Sequence, residues 1–338
     1  MCPTRLRSFG ALAAIACLET LLLLAARRHL RDLFEIGRTY STFSSMNLNL
    51  YTYPHLAPEN ASQAELPRLV PKIMHHIDLR EGWNGTLERY GSGYSSCTAL
   101  HPEWEHVLWT DDTSSAFVAK HYPELLSHYE DYGQTIQRTN ILRYLLLHHY
   151  GGVYLDLDVT CREPLDSLLH LPWLTPAAYP VGINNAFILA KPNHPFLSEL
   201  IDQIPTHDIP WLLPYVENML STGCMFISNM WMRYMRRDEE HAWSDKVFVL
   251  ADEKGGLESH MLRGKTVTPL FEHGGASSWH RRDAAVIVLI GAHYGYALTL
   301  MLIVATVVAG IVIRLGILRR YSVLRRSEDE ERLFKSME

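Results

Sequence analysis

Short apolar runs alternate with segments of helical periodicity between residues 70 and 280. Strand-like runs occur in "RLVPKIMHHIDL", "WEHVLWTDD", "NNAFILAKP" and "DKVFVLAD". By contrast, "HPFLSELIDQI" and residues 134–150 place apolar side chains three and four positions apart, as helices do. Gly151 follows directly, where glycine commonly ends a helix. This alternation predicts one α/β domain with a mainly parallel sheet and helices on its faces.

Two longer apolar runs lie outside this domain. Residues 9–26 carry one charged side chain, Glu19, and residues 284–313 carry no Asp, Glu, Lys or Arg. A helix needs about 20 apolar residues to cross a bilayer. We therefore expect a transmembrane signal-anchor at 9–26 and a transmembrane helix at 284–313. A cleaved signal peptide is the alternative for the first run.

The charges around the second run predict its orientation. Five arginines lie between residues 314 and 326, directly after the run, and two, Arg281 and Arg282, precede it. Positive charge favours the cytosolic side, which places residues 314–338 in the cytosol. The glycosylation sequons at Asn60 and Asn84 agree with a lumenal location for the segment between the runs.

The predicted organisation follows from these boundaries. We expect an endomembrane protein, in the Golgi or a related compartment, with its globular part in the lumen. The predicted parts are a cytosolic tail at 1–8, the anchor at 9–26, a stem at 27–68, the α/β domain at 69–283, the membrane helix at 284–313 and a cytosolic tail at 314–338.

Composition narrows the function classes. The net charge of −6 argues against a general nucleic-acid binder, which usually presents a basic face. Three cysteines, Cys97, Cys161 and Cys224, fall in the predicted lumenal part. They allow one intradomain disulfide at most, so the domain relies on its apolar core.

The segment "GGVYLDLDVT" at 151–160 places two carboxylates in an apolar run. On a strand covering Val153–Val159, Tyr154, Asp156 and Asp158 would share one face, with the Cα atoms of the two aspartates about 7 Å apart. Two unpaired carboxylates would repel each other, and a divalent cation removes that repulsion and can bridge to a phosphate. The alternatives are an edge strand facing water, or a DxDxT phosphatase loop in which Asp156 is the nucleophile and Asp158 the general acid.

The surrounding residues resemble glycosyltransferase family 32. The resemblance spans residues 70–283 and lies in "PKIMHHI", "WEHVLWTD" and "IQRTNILRYLLLHHYGGVYLDLD", with a further match in "FEHGGASSWHRRD". Within the family, the likeness is greatest to fungal mannosyltransferases that act on inositol phosphoceramide. The resemblance implies a GT-A-type, Rossmann-like nucleotide-sugar-binding domain, a retaining reaction, and Mn²⁺ or Mg²⁺ as cofactor.

The resemblance also implies residue roles. Asp156 and Asp158 would be the catalytic carboxylates and metal ligands, with Asp158 the more direct ligand. His273 would be a third ligand, and His280 is a second candidate. The donor-binding residues implied are His75, Arg138, Asn140, Arg143, Tyr154, Asn184, Asn185, Ser278 and Trp279. Asn140 stands where the family has an aspartate that touches a donor sugar hydroxyl.

The expected function is transfer of a hexose, mannose from GDP-mannose, to inositol phosphoceramide in sphingolipid biosynthesis. The short distance from His280 to the apolar run at Ala284 favours a membrane lipid acceptor. The alternatives are extension of glycoprotein glycans, the phosphatase, and a non-catalytic subunit that retains the fold. By analogy with related enzymes, we expect a small membrane regulatory subunit as a partner. We do not expect nucleic acid as a partner.

Overall fold

The main sheet is mixed and has seven strands, which lie side by side in the order β1 (Asn49–Thr52), β8 (Phe248–Ala251), β6 (Trp173–Thr175), β7 (Phe187–Ala190), β4 (Gly152–Leu155), β2 (Ile73–Ile77) and β3 (Glu105–Trp109). The computed structural model describes residues 26–53, 67–80, 91–237, 241–276 and 282–293, with isolated positions before 26 and from 296 to 316. Of the neighbouring strands, β7 alone runs antiparallel to its partners β4 and β6. The other pairs are parallel. The predicted α/β class is confirmed, with a sheet that is mixed.

The strands of the main sheet are short. A second, antiparallel sheet has the order β5-β10-β9. Its strands are β5 Val159–Cys161, β9 Thr266–Val267 and β10 Phe271–His273.

Helices pack against the main sheet through two apolar clusters. Helix α1 covers residues 26–42. The further helices of the first unit are α2 Gly91–Leu100, α3 Asp111–His121, α4 Leu126–Asp131, α5 Thr135–Tyr150, α6 Pro195–Asp202, α7 Ile204–His207, α8 Pro214–Ser221 and α9 Cys224–Met235. Contact clustering divides the chain into two compact units, Met1–Trp279 and His280–Glu338. The second contains α10 Arg282–Ala292.

Helix α5 leads directly into β4. All side chains from Asn140 to Leu147 are buried, which is why the apolar pattern of this helix extends around most of its circumference. Gly151 ends the helix as predicted, with its amide bonded to the Leu147 carbonyl. Gly152 has φ +99°, and a Cβ there would lie 2.5 Å from the Ile73 carbonyl oxygen. Glycine at this position therefore lets β4 begin beside β2.

Two predictions about chain course are corrected by the structure. The expected strand Val153–Val159 is two strands in different sheets, because the chain turns at Asp156, whose carbonyl accepts a hydrogen bond from the Val159 amide. The expected stem at 27–68 also contributes to the fold. Its residues Asn49–Thr52 pair in parallel with β8, a partner about 200 residues away that no local pattern reveals.

Some predictions lie wholly or largely outside the residues that the structure describes. These are the anchor at 9–26, apart from Thr20, Leu24 and Ala26, and the sequons at Asn60 and Asn84. In the described part of the chain, no helix has both the length and the apolar character needed to span a bilayer. The predicted membrane helix at 284–313 is therefore not supported.

The allowed disulfide joins Cys97 of α2 to Cys161 of β5. Cys224 is a free thiol. The bridge fixes α2 against the small sheet, next to the turn that carries Asp156 and Asp158.

Candidate active site

Asp156 lies at the carboxyl end of β4, where ligands bind in open α/β sheets. The Tyr154 hydroxyl donates a hydrogen bond of 2.6 Å to Asp156 Oδ1. Tyr154 itself is 1% exposed, whereas 31% of the Asp156 side chain remains accessible. One carboxylate oxygen is thus held by the protein, while part of the group faces outward.

Arg143 supplies the positive charge beside this carboxylate. Its Nη1 lies 3.2 Å from Asp156 Oδ1 and donates to the Asn185 carbonyl at 2.6 Å. Its guanidinium carbon lies 4.4 Å from the centre of the Tyr154 ring. Burial opposes the charge of Arg143, but Asp156 and the neighbouring phenols outweigh burial and raise its pKa. Arg143 therefore stays protonated and orients the Asp156 carboxylate.

The pKa of Asp156 is raised, chiefly because the group is desolvated. Arg143 lowers this pKa, while the nearby carboxylate of Asp158 raises it further. The two carboxylates therefore repel each other as the sequence predicts, although they lie on a turn and not along one strand. A cation next to them would relieve that repulsion.

A buried amide network lies beside Arg143. Asn140 Nδ2 donates to Asn218 Oδ1 at 2.9 Å and to Thr222 Oγ1 at 3.2 Å, and Asn140 Oδ1 accepts from Asn185 Nδ2 at 3.1 Å. Asn185 Nδ2 also donates to the Tyr144 hydroxyl at 3.0 Å. Asn140 is 3% exposed, so its amide supports Asn185 from inside the protein.

Asp158 is held by the small sheet. Its Oδ2 accepts a hydrogen bond of 2.8 Å from the Ala276 amide, and its carbonyl accepts one from the Gly274 amide. Antiparallel pairing sets Val159 of β5 opposite His273 of β10. The small sheet thereby brings a histidine from the C-terminal part of the domain to the carboxylate turn.

His273 is oriented with one ring nitrogen toward Asp158. Its Nδ1 lies 2.7 Å from the Gly264 carbonyl oxygen, which can only accept, so Nδ1 carries the proton. In the neutral ring, Nε2 then presents its lone pair, and it lies 3.7 Å from Asp158 Oδ2. A backbone carbonyl that orients the other nitrogen is the usual second partner of a metal-binding histidine.

These atoms fit a divalent cation in part. The carboxylate oxygen and the imidazole nitrogen are ligand types that Mn²⁺ accepts. Among the residues that the structure describes, no group of three or more His, Cys, Asp or Glu side chains is placed to hold a metal ion. Sites that bind a metal together with a diphosphate commonly use one or two carboxylates and take the remaining oxygens from the substrate.

The turn that carries both aspartates is packed tightly against α2. A Cβ on Gly93 would lie 2.4 Å from the Leu157 carbonyl oxygen and 2.9 Å from that of Val159. The Cys97–Cys161 disulfide ties the same helix to β5. Helix α2 therefore fixes the backbone between the two aspartates.

Three predicted donor-binding residues, His75, Arg138 and Asn184, make contacts with other parts of the protein and not with the two aspartates. His75 is 1% exposed, with Nε2 on the Gly151 carbonyl and Nδ1 accepting from the Trp109 indole, which argues against a contact with the donor. Arg138 pairs with Asp111 at the start of α3. Asn184 is partly exposed and fixes the loop before β7 through the Ala186 amide and the Leu262 carbonyl.

The remaining predicted residues Ser278, Trp279 and His280 lie outside the described residues. The structure adds four residues to which the sequence assigns no role in the site, namely Tyr144, Asn218, Thr222 and Cys224. The Cys224 thiol donates to Asn185 Oδ1 at 3.0 Å, and burial raises its pKa. All four lie on helices α5, α8 and α9 or their ends, so only long-range contacts reveal them.

The stretch of chain that carries Arg143, Asp156 and Asp158 matches a known protein family. Residues 88–172 match the family described as "Glycosyltransferase sugar-binding region containing DXD motif", and the matched stretch includes Arg143, Asp156 and Asp158. This stretch of the chain is therefore a DXD-containing sugar-binding region of the glycosyltransferase type.

Two yeast proteins are similar over most of the chain. Inositol phosphoceramide mannosyltransferase 2 of Schizosaccharomyces pombe is 36% identical over 237 residues, which cover 68% of this chain and 64% of that protein. Mannosyl phosphorylinositol ceramide synthase CSH1 of Saccharomyces cerevisiae is 33% identical over 234 residues, covering 67% and 57%. The chain thus spans less than two thirds of the length of these relatives.

A solved structure, the PaToxG glycosyltransferase, matches with a TM-score of 0.40 and 14% identity, covering 61% of this chain and 80% of that one. This likeness is too distant to support an inference about the site.

Proposed function

We propose that the protein is a retaining, metal-dependent glycosyltransferase that moves mannose from GDP-mannose to inositol phosphoceramide. The observation that carries the proposal is the pair of held carboxylates at the end of β4. Arg143 and Tyr154 fix Asp156, while the Ala276 amide fixes Asp158 beside His273. The similarity to inositol phosphoceramide mannosyltransferases supports the choice of sugar and acceptor.

The two carboxylates have different tasks in this proposal. Asp158 and His273 would hold Mn²⁺ or Mg²⁺, which when bound supplies Lewis-acid stabilisation of the departing nucleoside diphosphate. Asp156 would contact the donor ribose or sugar as well as the cation. Arg143 keeps the Asp156 carboxylate in one orientation, so that the site is organised before the donor binds.

We place this enzyme in the Golgi or a related endomembrane compartment, where its lipid acceptor would be available at the bilayer. Extension of glycoprotein glycans uses the same donor site and differs only in the acceptor. The phosphatase interpretation has no support, because the stretch that carries Asp156 and Asp158 matches a glycosyltransferase sugar-binding region.

A donor and acceptor screen on membranes that contain the protein tests the proposal. We expect radiolabelled mannose to pass from GDP-mannose to inositol phosphoceramide. Asp158→Asn should lose this transfer, and Asp166→Asn is its matched control, because the Asp166 carboxylate pairs with Lys72. Transfer to mannoprotein acceptors alone would overturn the lipid acceptor, and transfer from UDP-sugars alone would overturn the donor.

A further inference from the structure

Helix α1 (26–42) is attached to the first unit along one face. The Arg28 guanidinium donates to the carbonyls of Pro205 and Thr206 at 2.9 and 2.7 Å. One turn further, Asp32 is 2% exposed, and the Thr39 hydroxyl donates to Asn229 Oδ1 at 2.7 Å. These contacts hold α1 at several points along its length, so its orientation on the domain is fixed.

The opposite face of α1 is apolar and exposed. Leu30, Leu33 and Phe34 are 49%, 52% and 67% exposed. Their spacing of three and four residues places them together on the side of the helix that faces away from Asp32 and Thr39. A contiguous exposed apolar face of this kind is typical of a surface that contacts a membrane or another protein.

The loop before α8 extends this face. Leu212 is 96% exposed, the highest value among the large apolar side chains described. The loop is nevertheless held in place, since the Pro210 carbonyl lies 3.0 Å from His29 Nε2 and the Trp211 amide donates to Glu217 Oε2 at 2.9 Å. The exposure of Leu212 is therefore a property of an ordered loop.

The loop and the helix face are neighbours. The rings of His29 and Trp211 lie 4.7 Å apart, and His29 is one turn before Leu33 on the same side of α1. Together, Leu30, Leu33, Phe34, Trp211 and Leu212 form what we call the α1–loop surface.

We infer that the α1–loop surface lies in the interfacial layer of a lipid bilayer. The strongly apolar run at 9–26 ends where α1 begins, which brings this helix next to the segment of the sequence suited to lipid. Arg27 and Arg38 are exposed on α1 and suit lipid phosphates.

This placement goes beyond the proposed function, because it depends on no particular donor or acceptor. It makes α1 a helix that lies along the membrane and keeps the domain close to the bilayer. A flexible stem would leave the domain at variable distances from it.

Fluorescence quenching in vesicles tests the inference. The full chain would carry Cys2→Ser, Cys17→Ser and Cys224→Ser, with an NBD label on Leu212→Cys or Phe34→Cys. The control label is on Glu103→Cys, whose native side chain is 85% exposed and lies before β3, at the sheet edge opposite β1. The vesicles contain phosphatidylcholine with doxyl-labelled phosphatidylcholine as the quencher.

We expect doxyl lipid to quench the labels at 212 and 34 about threefold more strongly than the label at 103. Equal quenching at the three positions would overturn the inference. Labels at 212 and 34 that are shielded from both aqueous iodide and doxyl lipid would also overturn it, because a second copy or another segment of the chain would then cover the surface.

Discussion

The Tyr154 hydroxyl donates a hydrogen bond of 2.6 Å to the carboxylate of Asp156, which follows it by two residues. Burial raises the pKa of Tyr154, so the phenol remains a donor. The same carboxylate oxygen faces Arg143 at 3.2 Å. The group that we propose to contact the donor is therefore oriented before any ligand arrives.

Tyr154→Phe tests the importance of that orientation. The variant keeps the ring beneath Arg143 but removes the hydrogen bond to a charged acceptor, a contact worth about 1.5–3 kcal/mol. We expect kcat for transfer to fall about ten- to hundredfold, together with a fall of several degrees in the thermal unfolding midpoint.

Tyr122→Phe is the matched control for this change. Tyr122 is also buried, and its hydroxyl bonds to the Leu145 carbonyl and to His148. The control should lose similar stability and keep its turnover. Equal turnover in both variants would show that the Tyr154 hydroxyl has no role beyond packing.

Asn140→Asp tests whether Asn140 supports the site or replaces a sugar contact. An aspartate would direct an oxygen at Asn218 Oδ1, where Asn140 Nδ2 now donates, and would bring a charge into a buried position. We expect the free energy of unfolding to fall by about 2–4 kcal/mol, measured by urea denaturation, and turnover to fall as well.

Asn229→Asp provides the comparison, because Asn229 is 5% exposed on α9 and bonds to Thr39 of α1. It should lose stability and retain turnover at permissive temperature. Higher turnover in Asn140→Asp than in the native protein would contradict the supporting role of Asn140.

Gly93→Ala tests the packing of α2 against the carboxylate turn. Because the added Cβ would meet the Leu157 carbonyl oxygen at 2.4 Å, the backbone between Asp156 and Asp158 must move. We expect a loss of about 1–3 kcal/mol in unfolding free energy and a larger proportional loss of turnover. Gly133→Ala, where a Cβ meets nothing within 4 Å, should be neutral in both measurements.

Acid should destabilise the domain through buried neutral histidines. Burial lowers the pKa of His75 to about 4, and the pKa values of His76 and His194 to about 3. In the unfolded chain these rings bind protons below about pH 6.5, so their contribution is complete above that pH and is lost as the pH falls toward the folded pKa values.

The expected loss between pH 7.5 and 5 is about 2 kcal/mol per histidine, measured by urea denaturation at both pH values. Histidine NMR signals would report the same groups in the folded protein. If the three rings titrate near pH 6.5 in the native state, this explanation of acid sensitivity is wrong.

The sequence predicts the positions of Arg143 and the two aspartates because local patterns of helix and strand determine them. Helical spacing locates Arg143 on the helix before the carboxylates, and the glycines of "GGVYLDLDVT" mark the start of β4. The confirmed class follows from the alternation of strands and helices. Strand alternation also predicts correctly that Tyr154 and Asp156 lie on the same side, as their hydrogen bond shows.

Long-range pairing explains what the sequence does not reveal. The apolar alternation continues through Val159, so the change of sheet after Leu155 has no local signal. Asn218 and Thr222 support Asn140 from α8 and its end, about 80 positions along the chain. The role of β1 likewise depends on its pairing with β8.

The central claim is that Asp158 and His273 hold a divalent cation together with the donor diphosphate. Electron paramagnetic resonance of Mn²⁺ with the purified protein and GDP measures this directly. We predict that the native protein and Asp166→Asn bind Mn²⁺ in the presence of GDP, and that Asp158→Asn and His273→Gln bind it at least about tenfold more weakly. Unchanged Mn²⁺ affinity in both site variants would contradict the claim.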